Sequence, residues 1–368
     1  MRILLDCLVV KPRQAGLRSY ALMLARALAE RSDVQVTVLA SRTAEAEWGS
    51  GVNVLTVSLG TNSPLRRKAW RLAHLSSVAR ESRADVVMTV SPEWTSAGPI
   101  PTVIVVHDLG PAVAPGVYGW KRFLRYALTL SHAVRRSSAV ITISEATRLD
   151  LIRWVGPVAN DRIHVIHNAG QSLSHKESLL PESLPESAQY ALYVGAYLPH
   201  KNVETILTLF DQGAPGLPKR LVCVGPDYEG EKARLLASYA NAAWLVSPGF
   251  VTPEELADLY LNARIVLFPS LFEGFGLPLA EAIQMGAPVV ASRLAAFVEV
   301  AGSYATWVDD PLSIEEWAKR IRESAEISPH SDAPIRSKSD QRKWSDVAEG
   351  VLQVATDVVN SARKTGDA

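Results

Sequence analysis

Short runs that are apolar at every position alternate with helical patterns along the whole chain. In the first half such runs lie at Ile3–Val9, Val34–Leu39, Val52–Val57, Val86–Val90, Val103–Val106, Val140–Ile143 and Ile163–Ile166, with helical stretches at Leu17–Glu30, Lys121–Val134 and Glu145–Val155. In the second half they lie at Ala191–Val194, Leu221–Val224, Trp244–Val246, Ile265–Phe268 and Pro288–Ala291. Helical patterns there cover Val203–Phe210, Glu229–Tyr239, Pro253–Leu261, Leu277–Met285 and Ile314–Glu326. A strand that is apolar on both faces needs cover on both faces, which a parallel sheet between helices provides. The pattern therefore predicts the α/β class with doubly wound sheets. At 368 residues the chain is long enough for two such domains, each with its own core.

The seam between them is legible. Residues 171–189 are rich in Ser, Glu, Pro and Leu without a sustained apolar period, and read as a linker between a domain at 1–170 and one at 190–344. A second irregular, polar stretch runs from Ser328 to Arg342. Trp344 then opens a last helix with Val347, Val351, Val354, Val358 and Val359 on a wide apolar face that needs a surface to cover it.

Composition excludes several classes. Net charge is zero, so no general attraction to nucleic acid follows. Cys7 and Cys223 lie far apart in apolar runs and read as buried thiols of a reducing cytoplasm. Met1 to Val10 is too short to span a bilayer, lacks a cleavage region, and fits a first buried strand.

Chemistry concentrates around Glu273 and Glu281, eight positions apart, on either side of Gly274-Phe275-Gly276-Leu277-Pro278. The segment follows the strand Ile265–Phe268 and runs into a helix with Pro278 in its first turn, where a missing N–H costs nothing. Glycines let the backbone approach a ligand, and the amides of a helix start favour phosphate. A carboxylate cannot favour that phosphate, so Glu281 is expected to accept hydrogen bonds from a ribose diol and Glu273 from a sugar. A phosphate cradle between two hydroxyl acceptors describes a nucleotide-sugar site.

Phe268 to Ser292 resembles the E-x7-E signature of retaining GT-B glycosyltransferases of family 4, and the similarity extends over nearly the whole chain. Val106-His107-Asp108-Leu109 resembles that family's His-Asp segment, and Ile141–Glu145 and Ile163–Asn168 its late N-domain strands. Tyr193-Val194-Gly195 through Lys201-Asn202 resembles its first C-domain loop, and Pro248-Gly249-Phe250-Val251 its base-binding loop. The resemblance implies two Rossmann-like domains facing a cleft, with the terminal helix 345–368 packing back on the N-terminal domain. It implies retention of configuration by same-face attack. It also places His107 beside the transferred sugar, and Gly195, Phe250 and Val251 on the donor.

Lys201, in a strand-to-helix loop, can set a compact positive charge on the leaving diphosphate. Relatives often carry an arginine nearby. This chain has Ala196 and His200 instead, so His200, Arg18 or Arg293 is left to supply a second cation. Gly16 opens the helix after the first strand, where relatives have a glycine-rich loop against the leaving phosphate or the acceptor. Asp108 is open to either a site role or loop amides. Ser144 reads as a helix cap. Phe250 fits base contact and core packing equally. Asp309-Asp310 reads as a turn or cap, so no metal and no cofactor is expected beyond the donor itself.

The expected reaction is hexosyl transfer from a nucleotide sugar, with GDP-mannose first among donors because the His-Asp-Leu segment looks most like mannosyl- or rhamnosyltransferases. The acceptor is a glycan, a lipid-linked sugar or a small molecule. A sugar-nucleotide epimerase on the same scaffold and a non-catalytic nucleotide-sugar binder are the competing readings. A basic stretch, Arg66, Arg67, Lys68, Arg71, Arg80 and Arg83 with Trp70 and Leu72, together with Trp120–Tyr126, raises peripheral contact with the inner face of the membrane against an ordinary solvated helix.

Overall fold

The computed structural model describes residues 1–11, 16–41, 48–59, 63–93, 98–113, 120–170, 190–227, 230–249, 251–326 and 342–366. The linker 171–189, most of 328–342 and Phe250 lie outside them. The chain divides into two compact units, Met1–Asn168 with Lys343–Ala368, and Ala169–Arg342.

The first unit holds β1 (Arg2–Asp6), α1 (Gly16–Ala29), β2 (Gln35–Ala40), β3 (Val52–Thr56), α2 (Pro64–Trp70), a π-helical turn (Arg71–Leu75) and α3 (Ser76–Glu81). It continues through β4 (Val86–Thr89), β5 (Thr102–Val106), the single turn α4 (Gly110–Val113), α5 (Trp120–Arg136), β6 (Ala139–Thr142), α6 (Glu145–Val155) and β7 (Ile163–Val165). Its parallel sheet has the order β3-β2-β1-β4-β5-β6-β7, with Leu4 opposite Thr37 on one side and Val87 on the other. Strand order reverses at β1 and β4. That reversal opens a crevice at the strands' carboxyl ends, the usual ligand position in such sheets.

Buried charges fill part of that region. Arg71 Nε lies 2.5 Å from Asp6 Oδ2, and Nη2 lies 3.1 Å from Oδ1. Arg67 and Arg71 both bond Glu93. Burial alone would raise Glu93, but the two guanidinium groups outweigh it and its carboxyl titrates below the usual range. Arg67 and Arg71 therefore leave the basic surface on which the sequence placed them: Arg67 is 4% and Arg71 2% exposed. The π turn adds a residue to the helical repeat and shifts which face is presented inward. Side-chain period alone could not show that.

The second unit holds β8 (Tyr190–Val194), α7 (Val203–Asp211), β9 (Arg220–Val224), α8 (Glu231–Ala237), β10 (Leu245–Val246), α9 (Pro253–Asn262) and β11 (Ile265–Phe268). It ends with α10 (Leu277–Gln284), β12 (Val289–Ser292), α11 (Ala295–Ala301), β13 (Thr306–Val308) and α12 (Ile314–Glu326). Its parallel sheet, β10-β9-β8-β11-β12-β13, reverses at β8 and β11. The core gathers Tyr193, Tyr197, Leu207, Phe210, Leu267, Trp317 and Ile321. Each such side chain contributes about 1.5–3 kcal/mol on full burial. Thr252 and Glu255 form a reciprocal cap that fixes the start of α9, at 3.2 and 2.6 Å.

The last helix, α13 (Trp344–Gly366), belongs to the first unit. The Trp344 ring meets Tyr20 of α1 edge-on at 5.7 Å, and Val347, Val351, Val354 and Val359 are buried. Cys7 and Cys223 are buried free thiols.

Candidate functional site

In the second unit the residues singled out by sequence gather on the loops that flank the strand reversal. The loop after β8 begins at Gly195, whose N–H donates to Val224 O at 3.0 Å. Gly225, at the end of β9, presses directly on it: a Cβ at Gly225 would stand 1.8 Å from the Gly195 carbonyl oxygen. Only glycine permits that approach. Tyr193 and Tyr197 hydroxyls donate to Ala196 O (2.7 Å) and Cys223 O (3.3 Å), which shapes the loop from beneath.

A turn at Pro199–Lys201 then carries three consecutive cross-links. His200 O accepts from Leu271 N–H at 2.7 Å. Lys201 Nζ donates to Glu273 Oε1 at 2.6 Å. Asn202, left-handed at φ 51°, donates through Nδ2 to Pro269 O (3.0 Å) and Pro311 O (2.8 Å), while its Oδ1 accepts from Thr205 at 2.8 Å. Ser270 Oγ also donates to Glu273 Oε1, at 2.8 Å. The Lys201 and Glu273 side chains are 20% and 13% exposed, so solvent screens this ion pair weakly. Glu273 thus has one oxygen held by two donors and Oε2 free of both.

Gly274, Phe275 and Gly276 are buried and lead into α10. Gly276 has φ +97°, and a Cβ there would stand 2.5 Å from Phe297 Cε1. Pro278 lies in the first turn of α10, as the sequence predicts. Glu281, one turn on, accepts from the Tyr260 hydroxyl at 3.3 Å, and that hydroxyl is also 3.2 Å from Pro278 O. Burial first, and then the Glu281 charge, push the Tyr260 phenol well above its usual range, so it stays a donor. Val251 is half-buried after β10, and its partner in the expected base contact, Phe250, lies outside the described residues.

Arg293 bonds Asp309, and its guanidinium lies 5.8 Å over the Trp307 ring centroid. Asp310 Oδ1 accepts from Leu312 N–H at 3.0 Å, which is turn chemistry. Tyr260, Ser270 and Asn202 were not singled out by sequence; their roles depend on partners far along the chain.

In the first unit His107 ends β5. Its Nε2 faces Val90 O at 2.9 Å, so that nitrogen carries the proton and Nδ1 is left as an acceptor. The Tyr20 ring packs against it edge-on at 4.6 Å. Burial lowers the imidazole pKa to about 4 and the Val90 carbonyl opposes this only in part, so His107 is neutral at pH 7. Asp108 Oδ1 accepts from Gly110 N–H at 2.9 Å. Ser144 caps α6 by accepting from Thr147 N–H at 3.0 Å. Gly16 is the first residue of α1; among the described residues a Cβ there would meet nothing within 4 Å.

The family described as Glycosyltransferase Family 4 matches residues 15–169, and that described as Glycosyl transferases group 1 matches 176–340. The chain belongs to glycosyltransferase family 4. Similar family members include the O-antigen chain mannosyltransferase B of Escherichia coli, 28% identical over 60% of each chain. The serotype-specific mannosyltransferase WbdA of Escherichia coli is 27% identical over 73% of this chain and 35% of that protein. The matched stretches therefore cover less than two thirds of both relatives. Among solved structures, sucrose-phosphate synthase from Thermosynechococcus elongatus aligns over 100% of this chain and 99% of its own, with TM-score 0.71 and 18% identity. That likeness gives the fold: this family 4 chain has the GT-B architecture of two Rossmann-like units.

Proposed function

We propose that the chain is a retaining, metal-independent hexosyltransferase that takes a nucleotide sugar, GDP-mannose first, to a glycan or lipid-linked acceptor. The observation that carries this reading is the Lys201–Glu273 pair at the strand reversal, beside the glycine-opened start of α10. The mannosyltransferase names of the curated relatives support the choice of sugar.

Each group then has a distinct task. The amides at Phe275–Leu277 and the Lys201 ammonium face the diphosphate, where negative charge develops as the sugar leaves. Glu281, steadied by Tyr260, accepts from the ribose diol. Glu273 accepts from sugar hydroxyls through Oε2. Neutral His107 accepts a hydroxyl through Nδ1. The anomeric carbon–phosphate oxygen bond breaks, the acceptor oxygen bonds the same face, and its proton passes to the departing phosphate. In this reading the positive charge comes from lysine and amides.

A thermal-shift screen against GDP-, UDP-, dTDP- and ADP-sugars tests the donor reading. One sugar nucleotide is expected to raise the melting temperature by several degrees. A flat panel sinks it.

We also propose peripheral contact with anionic bilayers through the first unit. Leu65 (80%), Leu72 (59%) and Trp120 (68%) are exposed large apolar residues, and Arg66, Arg80 and Arg83 are exposed cations. Among the described residues no helix is long and apolar enough to cross a membrane. Contact of this kind would place the protein at the cytoplasmic face.

A further inference from the structure

The Lys201 ammonium is bonded to a carboxylate, and Arg293 is bonded to Asp309. A departing diphosphate carries more negative charge than Lys201 alone offsets. We propose that Lys232 is the second cation of the nucleoside diphosphate site. This rests on the donor reading above, and it places a residue that sequence did not nominate.

Lys232 stands in the first turn of α8, after β9. Its Nζ lies 3.5 Å from Gly225 O and 5.3 Å over the Tyr197 ring centroid. Gly225 presses on the carbonyl of Gly195, where the Lys201 loop begins. The amine is thus anchored to one loop that packs backbone-to-backbone on the other. In the sheet β9, β8 and β11 are neighbours, so the segments that follow these strands, with Lys232, Lys201 and Glu273, follow one another along one edge. Neighbouring strands are about 4.8 Å apart. A nucleoside diphosphate can bridge that run of loops.

The charge on Lys232 is also undersupplied. Among the described residues its contacts are a carbonyl and an aromatic face, and Asp227 bonds its backbone N–H at 3.0 Å while acting on the ammonium only through space. Burial lowers its pKa, with Cys223 and the Asp227 charge opposing in part. A half-buried ammonium without a bonded carboxylate is a place where an incoming anion gains most, since the desolvation cost is already met by the fold. Lys232 on Tyr197 is held in position before ligand arrives.

Calorimetry with GDP, GMP and guanosine on the wild type, Lys232→Gln, Lys232→Met and Lys232→Arg tests the assignment, with UDP, dTDP or ADP and the matching monophosphate and nucleoside used if one binds more tightly. The neutral variants are expected to weaken diphosphate binding about tenfold or more, with nucleoside affinity and melting temperature unchanged. Lys232→Arg is expected to retain most of the affinity. Equal diphosphate affinity in both neutral variants overturns the Lys232 assignment and leaves the donor reading standing. Equal weakening of the nucleoside also overturns it, because the contact would then be to the base. A wild type that binds none of the four diphosphates overturns the donor reading and this inference with it.

Discussion

Lys201 and Glu273, 72 positions apart in sequence, meet at 2.6 Å at the point where the second sheet reverses its strand order. The pair sets a competition. A phosphate that draws Lys201 away leaves Glu273 to Ser270 and to whatever hydroxyl the ligand offers. The two substitutions therefore have different consequences. Glu273→Gln is expected to leave GDP affinity unchanged or raise it, because Lys201 is released, while sugar transfer falls by about a hundredfold or more. Lys201→Ala is expected to weaken GDP by roughly tenfold. Calorimetry and turnover on the same preparations decide between these outcomes. Loss of GDP binding in Glu273→Gln would mean the pair is a structural brace.

Glu281→Ala removes the acceptor expected to hold the ribose. Nucleotide binding is predicted to weaken by about 1–3 kcal/mol. A 2′-deoxynucleotide tested on the wild type should lose part of the same amount and lose nothing further on the variant. Tyr260→Phe should have a smaller effect, since Tyr260 only orients the carboxylate. Unchanged affinity in Glu281→Ala would remove Glu281 from the site.

Gly276→Ala places a Cβ 2.5 Å from Phe297 at a positive φ. Strain and overlap together predict a loss of roughly 1–3 kcal/mol, read as a lower urea midpoint with unchanged slope. Adding Phe297→Leu should recover part of the steric share. A variant as stable as the wild type would show that the loop relaxes freely.

His107 gives a pH dependence. Its imidazole titrates near 4 in the folded chain against 6.5 in an unstructured one. The unfolded state therefore binds the proton more readily, and stability rises with pH through this window. The contribution is fully present above pH 6.5, declines as pH falls toward 4, and amounts to on the order of 3 kcal/mol. His107→Asn is expected to flatten that segment of the stability curve. Denaturant midpoints at pH 4.5, 5.5 and 7 measure it, and parallel curves for both proteins would refute the shift.

Vesicle flotation reads the membrane proposal. Anionic vesicles are expected to carry the protein upward at low salt and release it at high salt, with neutral vesicles inert. Leu65→Glu combined with Leu72→Glu is expected to abolish flotation. Arg67 and Arg71 substitutions would unfold the first unit before they reported on lipid, because their partners Asp6 and Glu93 would be left buried and unpaired.

Most strands were legible because a doubly covered strand has no polar face to disguise it. Leu4, Val105, Val222 and Leu267 are each fully buried. β13 was missed: Thr306–Val308 is three residues long, with Thr306 and Trp307 only half-buried, so it lacks the apolar run that marked the others. In the site, local spacing shows which residues lie near Gly276, but not their distant partners. The sequence cannot show that Arg71 folds inward on Asp6 while Arg66 stays out. It cannot show that Lys201 rests on Glu273, or that Tyr260 reaches Glu281. Such pairings come from strand order, and strand order is not written in any single window.

Asn202 spends both hydrogens of one amide on two distant carbonyls, those of Pro269 and Pro311. That single side chain behaves as a rivet through three layers of loop. Pulling one layer free strains the hold on the other two, so this rim is built to shift as a unit or to stay still.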